Sequence, residues 1–137
     1  MLTAQLVLLS LAALVSLLFG IRYLVTRQFM PYHAAVAGKA WQDIEPGLQT
    51  IILGMLKILA GGFLAYGIAL LWLLIPLAQK QAWAPWAVIT ITLASVLPSV
   101  YVTIWLRRFA PSAPTPVAPA LAVLVVALVG GALSFVV

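Results

Sequence analysis

Four apolar runs, each about as long as the 20 or so residues a helix needs to cross hydrocarbon, constrain this chain more than any other feature. The first is Leu2 to Tyr23, from which helix can continue toward Met30, where Pro31 follows. The second, longer run is Leu48 to Leu77, the third Trp86 to Leu106, and the fourth Ala118 to Val137. Apolar residues make up 66% of the 137 residues and charged residues 7%. A soluble domain has roughly 45–50% and 25%. Small domains have too much surface for their volume to hide such a load from water. The expected fold is therefore all-α: a four-helix transmembrane bundle in a single domain, with spans at about 2–25, 48–77, 86–106 and 118–137.

Proline punctuates the runs. Pro46, Pro85 and Pro119 stand at the heads of spans two, three and four, where the missing N–H would have been unpaired in any case. Asp43 and Glu45 precede span two, where a negative charge suits the helix dipole and a carboxylate can cap. The first connection, Thr26 to Gly47, is the longest. Within it Met30 to Ala40 reads as a short helix opened by Pro31, and Met30, Tyr32 and Trp41 suit the membrane interface. The third connection, Phe109 to Pro119, carries four prolines and reads as extended and stiff.

The net charge of +5 does not point to nucleic acid, because the bases cluster at the ends of apolar runs. Four spans put both termini on one side. Arg22, Arg27, Lys39, Arg107 and Arg108 then share the other, against Lys80 and the terminal amine. Positive residues stay cytoplasmic, so both termini are expected outside. Tyr23, Trp41 and Trp105 at the inner boundary, and Trp83 and Trp86 at the outer one, fit interfacial aromatic belts. No Lys or Arg precedes the first run and Arg22 follows it, which reads as a retained anchor rather than a cleaved signal.

Helices in lipid associate through close contact of small residues. Ala12, Ser16 and Gly20 on span one, Gly61, Ala65 and Ala69 on span two, and Ala127 and Gly131 on span four form such stripes. They are expected to face other helices. On span three, Thr92, Ser95, Ser99 and Thr103 fall within about 80° of one another at 100° per residue. Pro98 interrupts this helix and frees the carbonyl of Ala94. The hydroxyl face is either a packing face or the polar lining of a small cavity.

Few residues are candidates for chemistry. Lys57 is the ionisable residue well inside an apolar run. It either snorkels to the headgroups or takes a buried role, pairing with Asp43, Glu45 or an anionic lipid. His33, the single histidine, is a surface residue or a ligand for a cofactor, with Asp43 and Glu45 as possible companions at a metal. Nothing marks a particular cofactor. The absence of cysteine excludes disulfides and thiolate sites, and no phosphate loop, nucleophile elbow or paired-histidine motif is present.

Met30-Pro31-Tyr32-His33-Ala34-Ala35, then Gly38, Trp41 and Pro46-Gly47-Leu48-Gln49, together with Gly61-Gly62 and the proline of span three, resemble a group of small bacterial four-helix membrane proteins. In size and layout the chain is similar to the DoxX-like proteins. The resemblance implies a bacterial inner-membrane protein and supplies no active site. Small multidrug exporters carry a carboxylate in their first span, fluoride channels need membrane asparagines and vitamin K epoxide reductases need cysteines. This chain has none of these. Two functions are expected. One is a non-catalytic accessory subunit that packs against other membrane subunits and lipids. The other is a small transporter or lipid-binding protein, built as a homodimer, with Lys57 and the hydroxyl face lining its site. A lipid or quinone enzyme using His33 with Asp43 or Glu45 ranks third.

Overall fold

The computed structural model describes residues 2–136, and among them every regular element is a helix. Helix α1 spans Leu2–Val25, α2 Pro31–Ala37, α3 Pro46–Ala78, α4 Ala84–Phe109 and α5 Val117–Ala132. Single 3₁₀ turns form at Trp41–Asp43 and Leu133–Phe135. Counting the second turn with α5, four helices of 24, 33, 26 and 19 residues are long and apolar enough to cross a membrane. They run alternately up and down. Gly20 of α1 meets Leu64 of α3, and Gly67 meets Leu17. Gly130 of α5 meets Leu9 of α1, and Gly131 meets Val88 of α4. Around the bundle the order is α1, α3, α4, α5, closing again on α1.

The core is thin. Leu9, Ala13, Leu70, Val88 and Ala127 are fully buried, while Ile58 is 79% and Trp72 71% exposed. In water such residues would mark an interaction patch. On the outside of a bundle in lipid they face their own solvent.

Local chemistry sets the boundaries. Pro46 holds the N1 position of α3, and Pro85 lies in the first turn of α4. α2 stops at Ala37, short of the expected Ala40, because Gly38 takes up a left-handed backbone with φ 64° and ends the helix. α3 ends in a Schellman motif. The N–H of Gln81 donates to Pro76 O at 2.9 Å and that of Lys80 to Leu77 O at 3.0 Å, with Lys80 at φ 56°. The third connection is not extended throughout. It opens with a turn in which Ala113 N–H donates to Ala110 O at 3.0 Å, and straightens only over residues 114–116. α5 begins immediately after Pro116, and its α-helix ends at Ala132. Val137, the expected end of the fourth span, lies outside the described residues, as does the terminal amine.

At 33 residues α3 is about 50 Å long, against a hydrocarbon thickness of about 30 Å. Its first turns project past the end of α1. The connection between α1 and α3 folds back over this projection, and Phe29, Met30, Tyr23, Leu56 and Ala60 form a second small core there. Phe29 meets Trp41 edge to face, with ring centroids 4.9 Å apart. At the other end of the bundle, the buried Gln5 donates from Nε2 to Ser134 Oγ and ties α1 to the turn after α5.

Candidate functional site

α3 and α4 are joined at one buried hydrogen bond, Tyr66 Oη to Thr92 Oγ1 at 2.9 Å. From there toward the arginine-bearing end a cavity of about 470 Å³ opens, with Tyr66, Phe63 and Leu59 on one side and Ser95, Ser99 and Val102 on the other. Phe19 of α1 and Val123 of α5 form its back wall. Pro98 lines it too. A proline inside a helix removes a backbone bond and pushes against the preceding turn, so the placement of Pro98 suits an α4 that parts from α3. Ile58, Leu59, Pro98 and Val102 are exposed, so the gap opens sideways, toward lipid in a membrane.

The wall is mainly apolar; besides the hydroxyls of Ser16, Ser95, Ser99 and Thr103 along it, a cluster of polar rings stands at the end away from Tyr66. Tyr23 and Tyr32 hydroxyls lie 2.6 Å apart. His33 sits beside them, its ring 4.0 Å from that of Tyr32. Its Nδ1 accepts a hydrogen bond from the backbone N–H of Met30 at 3.1 Å, the returning half of a capping box at the head of α2. Burial pushes the His33 imidazole below the usual histidine range, so it is neutral at neutral pH. With Nδ1 engaged as an acceptor, the neutral ring carries its proton on Nε2. Burial, followed by the bond to Tyr23, raises the Tyr32 phenol above the usual tyrosine range and keeps it protonated. Its hydroxyl therefore remains a donor as well as an acceptor.

The hydroxyl face of span three divides along its length. Thr92 is fully buried and bonded to Tyr66. Ser95, Ser99 and Thr103 line the cavity, with Thr103 also donating to Val100 O in its own helix at 3.0 Å. Sequence reasoning missed Tyr66 and Gln5. A phenol or an amide inside an apolar run has to find a partner, and that requirement was the available signal.

Lys57 does not line this cavity, contrary to the expectation that it would share a site with the hydroxyl face. It does not pair with Asp43 or Glu45. Its Nζ donates to Thr26 O at 2.7 Å, to Leu24 O and to Tyr23 O at 3.5 Å. It caps the C-terminus of α1, where carbonyls lack helical partners. Nor do Asp43 and Glu45 join His33, since among the described residues no three His, Asp or Glu side chains approach closely enough to hold a metal. Glu45 occupies the N-cap of α3 without a side-chain capping bond. Gln49 bridges the junction instead, donating from Nε2 to Trp41 O at 2.8 Å.

The small-residue stripes also divide. Ala12, Ser16 and Gly20 are buried in the bundle, and Ala127 and Gly131 likewise. Gly61 and Ala65 point outward and Ala69 is half-buried. A Cβ built on Gly61 would meet nothing within 4 Å. The face of α3 that meets α1 carries Ala60 and Gly67 instead. A Cβ on Gly67 would come within 3.0 Å of both Leu17 and the Ala13 carbonyl oxygen.

Against protein families, curated proteins and solved structures, nothing matches this chain.

Proposed function

We propose that this chain is a multi-pass protein of the bacterial inner membrane that binds a lipid-like small molecule, entering from the bilayer between α3 and α4. The cavity carries this reading. Its volume lies within the roughly 300–1,000 Å³ of small-molecule sites, and a mostly apolar wall with a few convergent polar groups is their usual chemistry. A carrier or a lipid-binding protein fits it better than an enzyme, because the polar end offers hydrogen-bond donors without an acid–base pair. The uneven distribution of arginine and lysine favours both termini outside, with α2 lying in the inner interface. The resemblance to DoxX-like proteins in size and layout agrees with an inner-membrane location.

Ser99→Trp, which fills the cavity from the α4 side, is the test. Purified in mild detergent, the wild-type chain should retain a lipid-like molecule visible by native mass spectrometry. The variant should retain about tenfold less, equivalent to about 1.4 kcal/mol of binding. Equal retention would remove the cavity from the binding role.

A second reading, an accessory subunit docked on a larger membrane complex, draws on the outward-facing Gly54, Gly61 and Ala65 of α3, which are exposed along one stretch of helix. Such a stripe admits close approach of another helix. Under this reading the chain should co-migrate with other subunits in its native membrane extract, and Ala65→Leu should release it. A particle of this chain and lipid alone would dismiss it.

A further inference from the structure

A second cavity of about 270 Å³ adjoins the first. The two share Phe19, Tyr23, Tyr32 and Pro116 as walls, and the second adds Arg22. Neither Asp43 nor Glu45 lines either space. Around the shared tyrosines there is therefore a set of donors, with His33 on the first cavity alone, and a cation, Arg22, on the second alone. Whichever way the Tyr23–Tyr32 bond runs, one phenolic proton is left to donate. His33 turns its Nδ1 to the Met30 N–H and so has Nε2–H to offer. Arg22 supplies a permanent charge and a planar fork suited to phosphate.

We infer that the occupant is an anionic phospholipid, with its acyl chain in the larger cavity and its phosphate at Arg22 beside the Tyr23–Tyr32 pair. This assignment rests on the lipid-binding reading above and narrows it. Three observations converge on it. The larger cavity is apolar and opens sideways between exposed apolar residues of α3 and α4, where acyl chains are the solvent. The adjoining space lies at the end of α1, where Arg22 falls in the last helical turn, at headgroup depth. The donors there want an oxyanion; every phospholipid brings a phosphate, but the choline of phosphatidylcholine would be held near Arg22 with neither Asp43 nor Glu45 to receive it, so a headgroup without a cation is favoured.

The full chain in detergent micelles, titrated with phosphatidylglycerol and phosphatidylcholine of identical acyl chains and followed by native mass spectrometry, tests the assignment. The wild type should bind phosphatidylglycerol about tenfold more tightly. Arg22→Gln should abolish that preference, weakening phosphatidylglycerol binding about tenfold more than phosphatidylcholine binding, and Arg22→Lys should keep most of it. Lys39→Gln removes an exposed charge that lines neither cavity and should change nothing. Ser99→Trp should weaken both lipids together. Inorganic phosphate alone should not compete, since the acyl chain supplies the larger contact. Equal binding of the two lipids, with both lost in Ser99→Trp, would overturn the anionic assignment and leave the lipid-binding reading standing. An equal fall in preference for Lys39→Gln and Arg22→Gln would also overturn it, tracing the effect to overall charge. Binding of neither lipid would overturn both readings.

Discussion

Gly67→Leu should loosen α1 from α3 and cost roughly 1–3 kcal/mol, toward the upper end because part of the clash is with backbone. A Cβ at this position would stand 2.8 Å from Leu17 and 3.0 Å from the carbonyl oxygen of Ala13. Leu17 can move its side chain, but the Ala13 carbonyl belongs to the α1 backbone and moves only with the helix. In lipid the two helices gain nothing from excluding water, so the close approach that Gly67 permits is a large part of what holds them. Gly61→Leu, six residues earlier on the same helix, is the matched control. Nothing lies within 4 Å of its Cβ position, and the side chain would point outward. Unfolding in sodium dodecyl sulfate titrations should show a large loss for Gly67→Leu and little change for Gly61→Leu. Equal losses would mean that the α1–α3 interface is not where the geometry places it.

Lys57→Met should fray the last turn of α1 without emptying the cavity. The ammonium donates to backbone oxygens of Tyr23, Leu24 and Thr26, and a cation at a helix C-terminus also favours the dipole. Charge-assisted hydrogen bonds of this kind bring the expected cost to about 1–2 kcal/mol, reduced where headgroups or water replace the lysine. Hydrogen exchange should quicken in the amides that end α1, and Lys57→Arg should restore most of the protection. Because Lys57 lines neither cavity, lipid retention should survive the change. Loss of retention with intact α1 protection would return Lys57 to the binding site and displace the capping role.

The division between Gly61 and Gly67 illustrates how far a sequence pattern reaches. A spacing of four selects Gly61, Ala65 and Ala69, of which two face outward. The residues of α3 that turn inward follow a seven-residue rhythm instead. Leu56, Leu70 and Leu77 are buried, as are Ala60 and Gly67, while Phe63 and Leu74 are half-buried on the same rows. That rhythm is the coiled-coil seam expected where antiparallel helices pack at a shallow angle. It is written in the sequence, but in a helix apolar on every side nothing local separates it from the competing stripe.

The hydroxyls of span three show a similar limit. Their shared face follows from helix geometry, and both of the uses considered for it are present. Thr92 packs and bonds to Tyr66, while Ser95 and Ser99 line open space. The change of role falls at the point where α3 and α4 part, a property of two helices together. His33 is a comparable case. Its position between spans could be read directly, yet its role depends on the Met30 N–H that engages Nδ1 and on the tyrosine pair beside it.

Hydropathy and proline placement alone specify that this chain is helical, where its long helices begin and which ends carry the arginines. Those are local properties: a bilayer leaves a backbone few choices but a helix, and about twenty apolar residues suffice to cross it. The inward face of α3, the capping of α1 by Lys57 and the adjoining cavities beside Arg22 were decided only when the helices packed. Each depends on atoms brought together from distant parts of the chain, and in lipid such packing is selected by shape and hydrogen bonding rather than by a polar-apolar pattern along the sequence.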